Sequence, residues 1–150
     1  MKKIIRVDFF SDSKKWPRRL PKLKKISLKT IKIMKIYFNI DYIYYLNLIF
    51  SDENKIKKLN KKYKNKYQDT DVLTFVSKLI HKDLGNISYC DIFFSIDTIE
   101  KFTKKYNTNL YDHYNHLLVH SILHINGYDH KKIPGHIMHP NYDFMGPAFW

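Results

Sequence analysis

Residues 115–130 read NHLLVHSILHINGYDH. Leu117, Leu118, Val119, Ile122, Leu123 and Ile125 spread around the helical wheel and leave one stripe to the histidines. A helix that is apolar on nearly every other face belongs inside a domain, with other elements covering it. Gly127 stands where such a helix needs a left-handed residue to stop. His120 and His124, one turn apart, project from the same face, and His130 lies beyond the glycine on a segment that can fold back toward the same point. Three imidazoles around one ion leave a fourth position open for water, the arrangement of catalytic zinc sites. Buried histidines on apolar helices often do no more than hydrogen-bond, but the agreement of the spacings favours ligation. We therefore expect His120, His124 and His130 to bind one zinc ion per chain, or another divalent metal in its place. His113 and His116 continue the stripe, where roles supporting the ligands or facing a substrate suit them better than ligation. His136 and His139, in the C-terminal stretch, are open either to joining the site or to exposure, and His81 reads as a surface residue.

The elements around this helix follow from periodicity and punctuation. Ile4 to Phe10 has the branched and aromatic content of a strand, and Leu20 to Phe38 places apolar residues among lysines at a mostly helical spacing. DYIYYLNLIFSD, residues 41–52, predicts a strand whose end can cap a helix over 53–64. Val72 to Val76 and Ile87 to Ser95 predict two adjacent strands, and helices are expected over Ile96 to Tyr106 and Leu110 to Asn126. The order predicts an α+β domain, a mixed sheet of about four strands packed with helices, with the histidine helix at its centre. One domain over residues 1–150 accommodates this, with an irregular tail at 131–150 where Pro134, Gly135, Pro140, Gly146 and Pro147 oppose a long helix.

The formal net charge is +13 and 44% of the residues are hydrophobic, enough to fill a core. Such a charge favours a polyanionic partner. Only Arg6, Arg18 and Arg19 are arginine among 27 basic residues, and Ile, Asn and Tyr are abundant, a bias that an AT-rich genome also produces. Cys90 is the only cysteine, which excludes an intrachain disulfide and favours a reducing, cytoplasmic setting. MKKIIRVDFF is broken by Arg6 and Asp8 and does not read as a secretory signal. The most apolar window, Ile36 to Phe50, is interrupted by Asn39, Asp41 and Asn47, so no membrane-spanning helix and no membrane partner are expected.

The histidine spacing and Gly127 match the zinc-peptidase signature HExxHxxGxxH, except that Ser121 stands where that signature has its glutamate base. Serine does not replace a carboxylate as a base at neutral pH, which makes a peptidase the second choice. HSILHINGYDH more closely resembles the HGxLHLxGYDH signature of the YbeY family of metal-dependent endoribonucleases. Leu59-Asn60 with Tyr63, Thr70-Asp71-Val72-Leu73-Thr74-Phe75, and Leu84-Gly85-Asn86-Ile87 resemble that family's LN-x-x-(Y/F)-R, TDVLSF and LGDI segments in order and spacing. The resemblance covers residues 40 to 130. It implies a YbeY-like α+β fold, a zinc-type site at His120, His124 and His130, and single-strand-specific cleavage in the maturation and quality control of ribosomal RNA, including the 3′ end of the small-subunit rRNA. The implied partners are ribosomal RNA and the ribosomal subunit.

Four departures from the resemblance bear on the site or on the closing edge of the fold. Lys64 replaces the family's arginine, keeping the charge but losing the bidentate fork. Ser121 replaces a glycine, Gly85-Asn86 replaces Gly-Asp, and the tail replaces a C-terminal helix. Lys64, with Lys57, Lys58, Lys61, Lys62 and Lys66 near it, is the candidate for neutralising charge on the scissile phosphate, while the metal activates water or polarises a phosphoryl oxygen. Tyr44, Tyr45, Tyr63, Tyr67 and Phe75 are candidate stacking partners for unpaired bases. No carboxylate base is evident beside the metal: Asp71 and Asp129 are the nearest by sequence, and Asp129 suits a structural role better. Besides nuclease and peptidase, a ribosome-binding protein with weakened catalysis fits the changes at Lys64 and in the tail.

Overall fold

The computed structural model describes residues 2–64 and 70–128, without the side chain of Lys64. The expected ligand His130 lies outside the described residues, as do Lys66, Tyr67, Asp129, His136, His139 and the tail at 131–150. Strand β1 (Ile4–Ser11) is followed by α1 (Leu20–Ile33), a 3-10 turn (Met34–Tyr37), β2 (Tyr42–Ser51) and α2 (Glu53–Lys64). Strands β3 (Val72–His81) and β4 (Gly85–Ser95) lead into α3 (Ile96–Tyr106) and α4 (Leu110–Ile125). The sheet has the order β1-β2-β4-β3, with β1, β2 and β4 parallel and β3 antiparallel to β4. This is the expected α+β architecture with a mixed four-stranded sheet.

Two boundaries differ from the expectation. α1 ends at Ile33 instead of running to Phe38, because its last turn tightens into the 3-10 turn. β3 runs to His81 instead of stopping near Val76, because Ser77, Lys78, Leu79 and Ile80 pair with β4 from Tyr89 back to Asn86. Ladder pairing outweighs the polar and exposed character of this stretch. The turn that closes the hairpin is held by His81 Nδ1, which accepts from the backbone N–H groups of Asp83 and Leu84 at 3.1 Å each.

Strand alternation sends Tyr44, Leu46, Leu48 and Phe50 of β2, with Cys90, Ile92 and Phe94 of β4, to one face of the sheet. Helices α1 and α4 cover that face and complete the core. The rings of Phe50, Phe94 and Tyr114 meet there, Tyr114 lying 4.7 Å from Phe94 and 5.8 Å from Phe50 between centroids. The Tyr114 hydroxyl donates to Ser27 Oγ at 2.6 Å, and Ser27 in turn donates to the Leu23 carbonyl at 2.6 Å. Thr30 also hydrogen-bonds Asn115, so α1 and α4 are joined by polar contacts as well as by packing.

Two hydrogen bonds and a shared hollow align α4 with β3 and the residue before it. His113 Nε2 meets Asp71 Oδ2 at 2.7 Å, Thr74 Oγ1 donates to Ser121 Oγ at 3.2 Å, and Val76 borders the same hollow as His124. The order is the same on strand and helix, and the two spans agree: His113 to His124 and Asp71 to Val76 each measure about 16 Å at standard rises. Asp71 and His113 are buried, the His113 ring stacks on Phe102 at 4.1 Å, and the Asp71 carbonyl accepts from Ser95 N–H at 2.8 Å. The pair therefore fastens α3, α4 and the strand pair β3–β4 at one end of the sheet.

Breaking a buried pair strands its second member, whereas an exposed pair contributes little. Asp71→Ala is expected to lower unfolding stability by about 3 kcal/mol. Glu100→Ala, which removes the surface pair with Arg19 at 2.9 Å, should cost less than about 1 kcal/mol; urea denaturation compares the two. Burial pushes the Cys90 thiol up to about 11, which keeps it protonated at pH 8. Iodoacetamide should then label Cys90 slowly in the native chain and rapidly once the chain is unfolded.

Candidate metal centre

The sequence builds both ends of α4 explicitly. At the start, the Asn109 side chain accepts from Tyr111 N–H at 2.8 Å and Asp112 N–H at 3.4 Å, and Asp112 places an acid in the first turn, where the helix dipole favours it. At the end, Tyr128 N–H reaches the Leu123 carbonyl at 2.9 Å and Gly127 N–H reaches the His124 carbonyl at 3.0 Å. This is a Schellman closure, and it requires the left-handed backbone that Gly127 adopts at φ 80°. A methyl group at Gly127 would meet no atom within 4 Å, so the constraint there is the backbone conformation and not space.

His113, His116, His120 and His124 occupy one stripe of α4, but their surroundings differ. His113 is buried against Asp71 and Phe102, which removes it from any surface-facing role. The His116 ring lies 4.1 Å from that of His120, which is 1% exposed. His124 is exposed and borders a hollow of about 440 Å³ that is also lined by Val76, Lys78, Ile125 and Gly127. One imidazole at the buried edge and a second one turn on, at the mouth of a hollow, form a donor pair suited to a zinc-type cation. The negative end of the α4 dipole lies at the same place and favours positive charge there. Among the described residues no group of three His, Cys, Asp or Glu side chains is placed to hold an ion. The third ligand expected from the spacing, His130, lies outside them.

Other candidates from the sequence are sorted by the fold. Asp71 is engaged with His113, seven residues before His120 and so roughly 10 Å away along the helix. It is not placed to stand beside an ion held at His120 and His124. Tyr44 belongs to the core, with 4% exposure, and cannot stack on a base. Tyr45 lies on the opposite sheet face, stacked on Tyr89 at 5.1 Å. Tyr63 is exposed and packs edge-on against Phe75 at 5.2 Å. Phe75 alternates with Thr74 across β3, so Tyr63 and the histidines approach that strand from opposite faces. The backbone of Lys64 closes α2, but its side chain lies outside the described residues.

Lys78 is the cation that borders the His124 hollow, and the sequence reading missed it. Ending β3 near Val76 left Lys78 in a turn, and its signal is legible only once the strand is known to continue. Ser121, by contrast, gains a reason: the hydroxyl that replaces a glycine is 1% exposed and receives the Thr74 hydrogen bond.

Comparison with known proteins bears on the whole arrangement. The family model for endoribonuclease YbeY matches residues 10–139. Endoribonuclease YbeY of Mycoplasma capricolum is 28% identical over 133 residues, covering 87% of this chain and 79% of the relative. The protein of the same name from Clostridium botulinum is 34% identical over 129 residues, covering 74% and 75% respectively. The solution structure of TM1509 from Thermotoga maritima matches with a TM-score of 0.55 at 25% identity, covering 89% of this chain and 79% of that one. With its sheet order, its histidine helix and a family match across most of its length, the chain belongs to the endoribonuclease YbeY family.

Proposed function

We propose that this protein is a metal-dependent endoribonuclease that cuts single-stranded segments of ribosomal RNA during their maturation, with one zinc ion held by His120, His124 and His130. The observation that carries the proposal is the placement of buried His120 and, one turn on, His124 at the edge of an open hollow, on one stripe of α4 in a chain of the YbeY family. When bound, zinc supplies Lewis-acid stabilisation of developing negative charge and lowers the pKa of a bound water. The chain's own residues do the rest. His120 anchors the site from the interior, and His124 presents its ring at the mouth of the hollow. The Schellman turn at Gly127 sets the direction in which the chain leaves α4 toward His130. Lys64, at the end of α2, remains the candidate for neutralising charge on the scissile phosphate.

The charge of the chain agrees with an RNA substrate: +13 overall, with no Asp or Glu between Ser13 and Ile40. Among the described residues no helix is long and apolar enough to cross a membrane. A peptidase has less support, because the residue at its glutamate position, Ser121, is buried with its hydroxyl bonded to Thr74 and so turned away from any hydrolytic water.

Purified protein is expected to carry about one zinc per chain and to cut a structured ribosomal RNA precursor. His124→Ala should lose the metal and reduce cleavage by about 100-fold or more, exceeding the usual loss from a supporting residue. Unchanged metal content and cleavage in that variant would remove the assignment. Metal retention and RNA binding without turnover in the wild type would instead identify a binding protein. Gly127→Ala, forced into a left-handed backbone, should cost about 1–2 kcal/mol of stability, and zinc titration should show weaker binding.

A further inference from the structure

A second hollow, of about 310 Å³, adjoins the one at His124 and shares Lys78, Ile125 and Gly127 with it. Its other walls include Tyr37 at the end of the 3-10 turn, Tyr42 at the start of β2, and Asn126 and Tyr128 just beyond α4. The rings of Tyr37 and Tyr128 meet edge to face, 5.4 Å apart at 85°, and so form two walls at right angles. Tyr42 lies under the Lys78 ammonium, 5.3 Å from ring centroid to Nζ. Tyr37 and Tyr42 are half-buried and Tyr128 is 41% exposed, so the rings frame an opening instead of filling the core. The side-chain nitrogen of Asn126 donates to the Ile122 carbonyl at 2.9 Å, while its Oδ1 is buried with no hydrogen-bond partner among the described residues. An acceptor left in that state costs the free chain stability.

Resting on the endoribonuclease reading, we infer that this second hollow is a nucleobase subsite for the nucleotide next to the one held at His124, with Lys78 beneath the phosphate that joins them. Aromatic walls suit the faces of a base and tolerate any base, since each has a π-face. Lys78 borders both hollows, where a connecting phosphate must pass, and a flexible ammonium matches a single phosphate charge. Composition alone does not account for the cluster. Tyr37, Tyr42 and Tyr128 come from three separate parts of the chain and converge beside Lys78, which both hollows share.

The test uses the zinc-loaded full chain and a 2′-O-methyl RNA hexamer carrying one 2-aminopurine, its integrity checked after each titration. The 2-aminopurine should be quenched on binding at one position in the hexamer. Tyr128→Ala should abolish the quench and weaken binding about tenfold, and Tyr128→Trp should retain both. Lys78→Gln should keep the quench and lower the slope of log affinity against log salt by about one. Removing the base at the quenched position should weaken wild-type binding as much as Tyr128→Ala does and add nothing to that variant. Unaltered binding in Tyr128→Ala, or an abasic hexamer that binds like the intact one, overturns the subsite; the first is also the result expected if the hollow receives a protein side chain. Quenching without any cleavage of natural RNA would instead sink the endoribonuclease reading and leave the subsite standing. Cleavage that is indifferent to Tyr128, with no quench, does the reverse.

Discussion

A helix with no face to spare governs this structure. α4 buries Leu117, Leu118, Ile122, Leu123 and Ile125, and each such side chain contributes about 1.5–3 kcal/mol through its removal from water. Covering it takes the sheet on one side and α1 on another, and the same requirement fixes what the polar stripe does. A buried imidazole is tolerable only with a partner. His113 has Asp71, and the rest of the stripe leads toward the proposed metal site. Structure and chemistry thus answer the same demand at opposite ends of one helix.

The junction of α4 with β3 gives that demand its precision. Asp71 with His113 at one end, Thr74 with Ser121 in the middle, and Val76 beside the His124 hollow at the other hold helix and strand in a single register. A slide of one helical turn would break both hydrogen bonds and part Val76 from His124. Ser121 is informative in this respect: a change from the family's glycine that the sequence leaves without a reason becomes a polar tie in the middle of the junction. Its partner is also a departure, Thr74 standing where the family's TDVLSF segment has serine. The two hydroxyls form one contact between helix and strand.

Much of this was legible in the residues. The four strands, the four helices, their order and the central position of the histidine helix follow from periodicity and from the stop at Gly127, because burial and turn chemistry leave local marks. What was not legible depended on pairing at a distance. The extension of β3 to His81 is imposed by its partner strand, and with it went Lys78, which reads as a loop lysine until the ladder is seen. Asp71 failed as a candidate near the metal for a related reason. Its place in the TDVLTF segment identifies an important residue, but only the fold shows that its carboxylate faces His113. Tyr44 and Tyr45 are adjacent in sequence, yet one is core and the other lies on the far sheet face, because strand alternation separates neighbours that composition treats alike.

The central claim is that His120, His124 and His130 hold one metal between the end of α4 and the segment that follows it. Anomalous diffraction at the zinc edge from crystals of the zinc-loaded chain tests it most directly. The account predicts a single peak with the three imidazole nitrogens about 2.0–2.1 Å away and one position left to solvent. A peak ligated by His113 or His116 in place of His124, or one with no protein ligand beyond Tyr128, would contradict it.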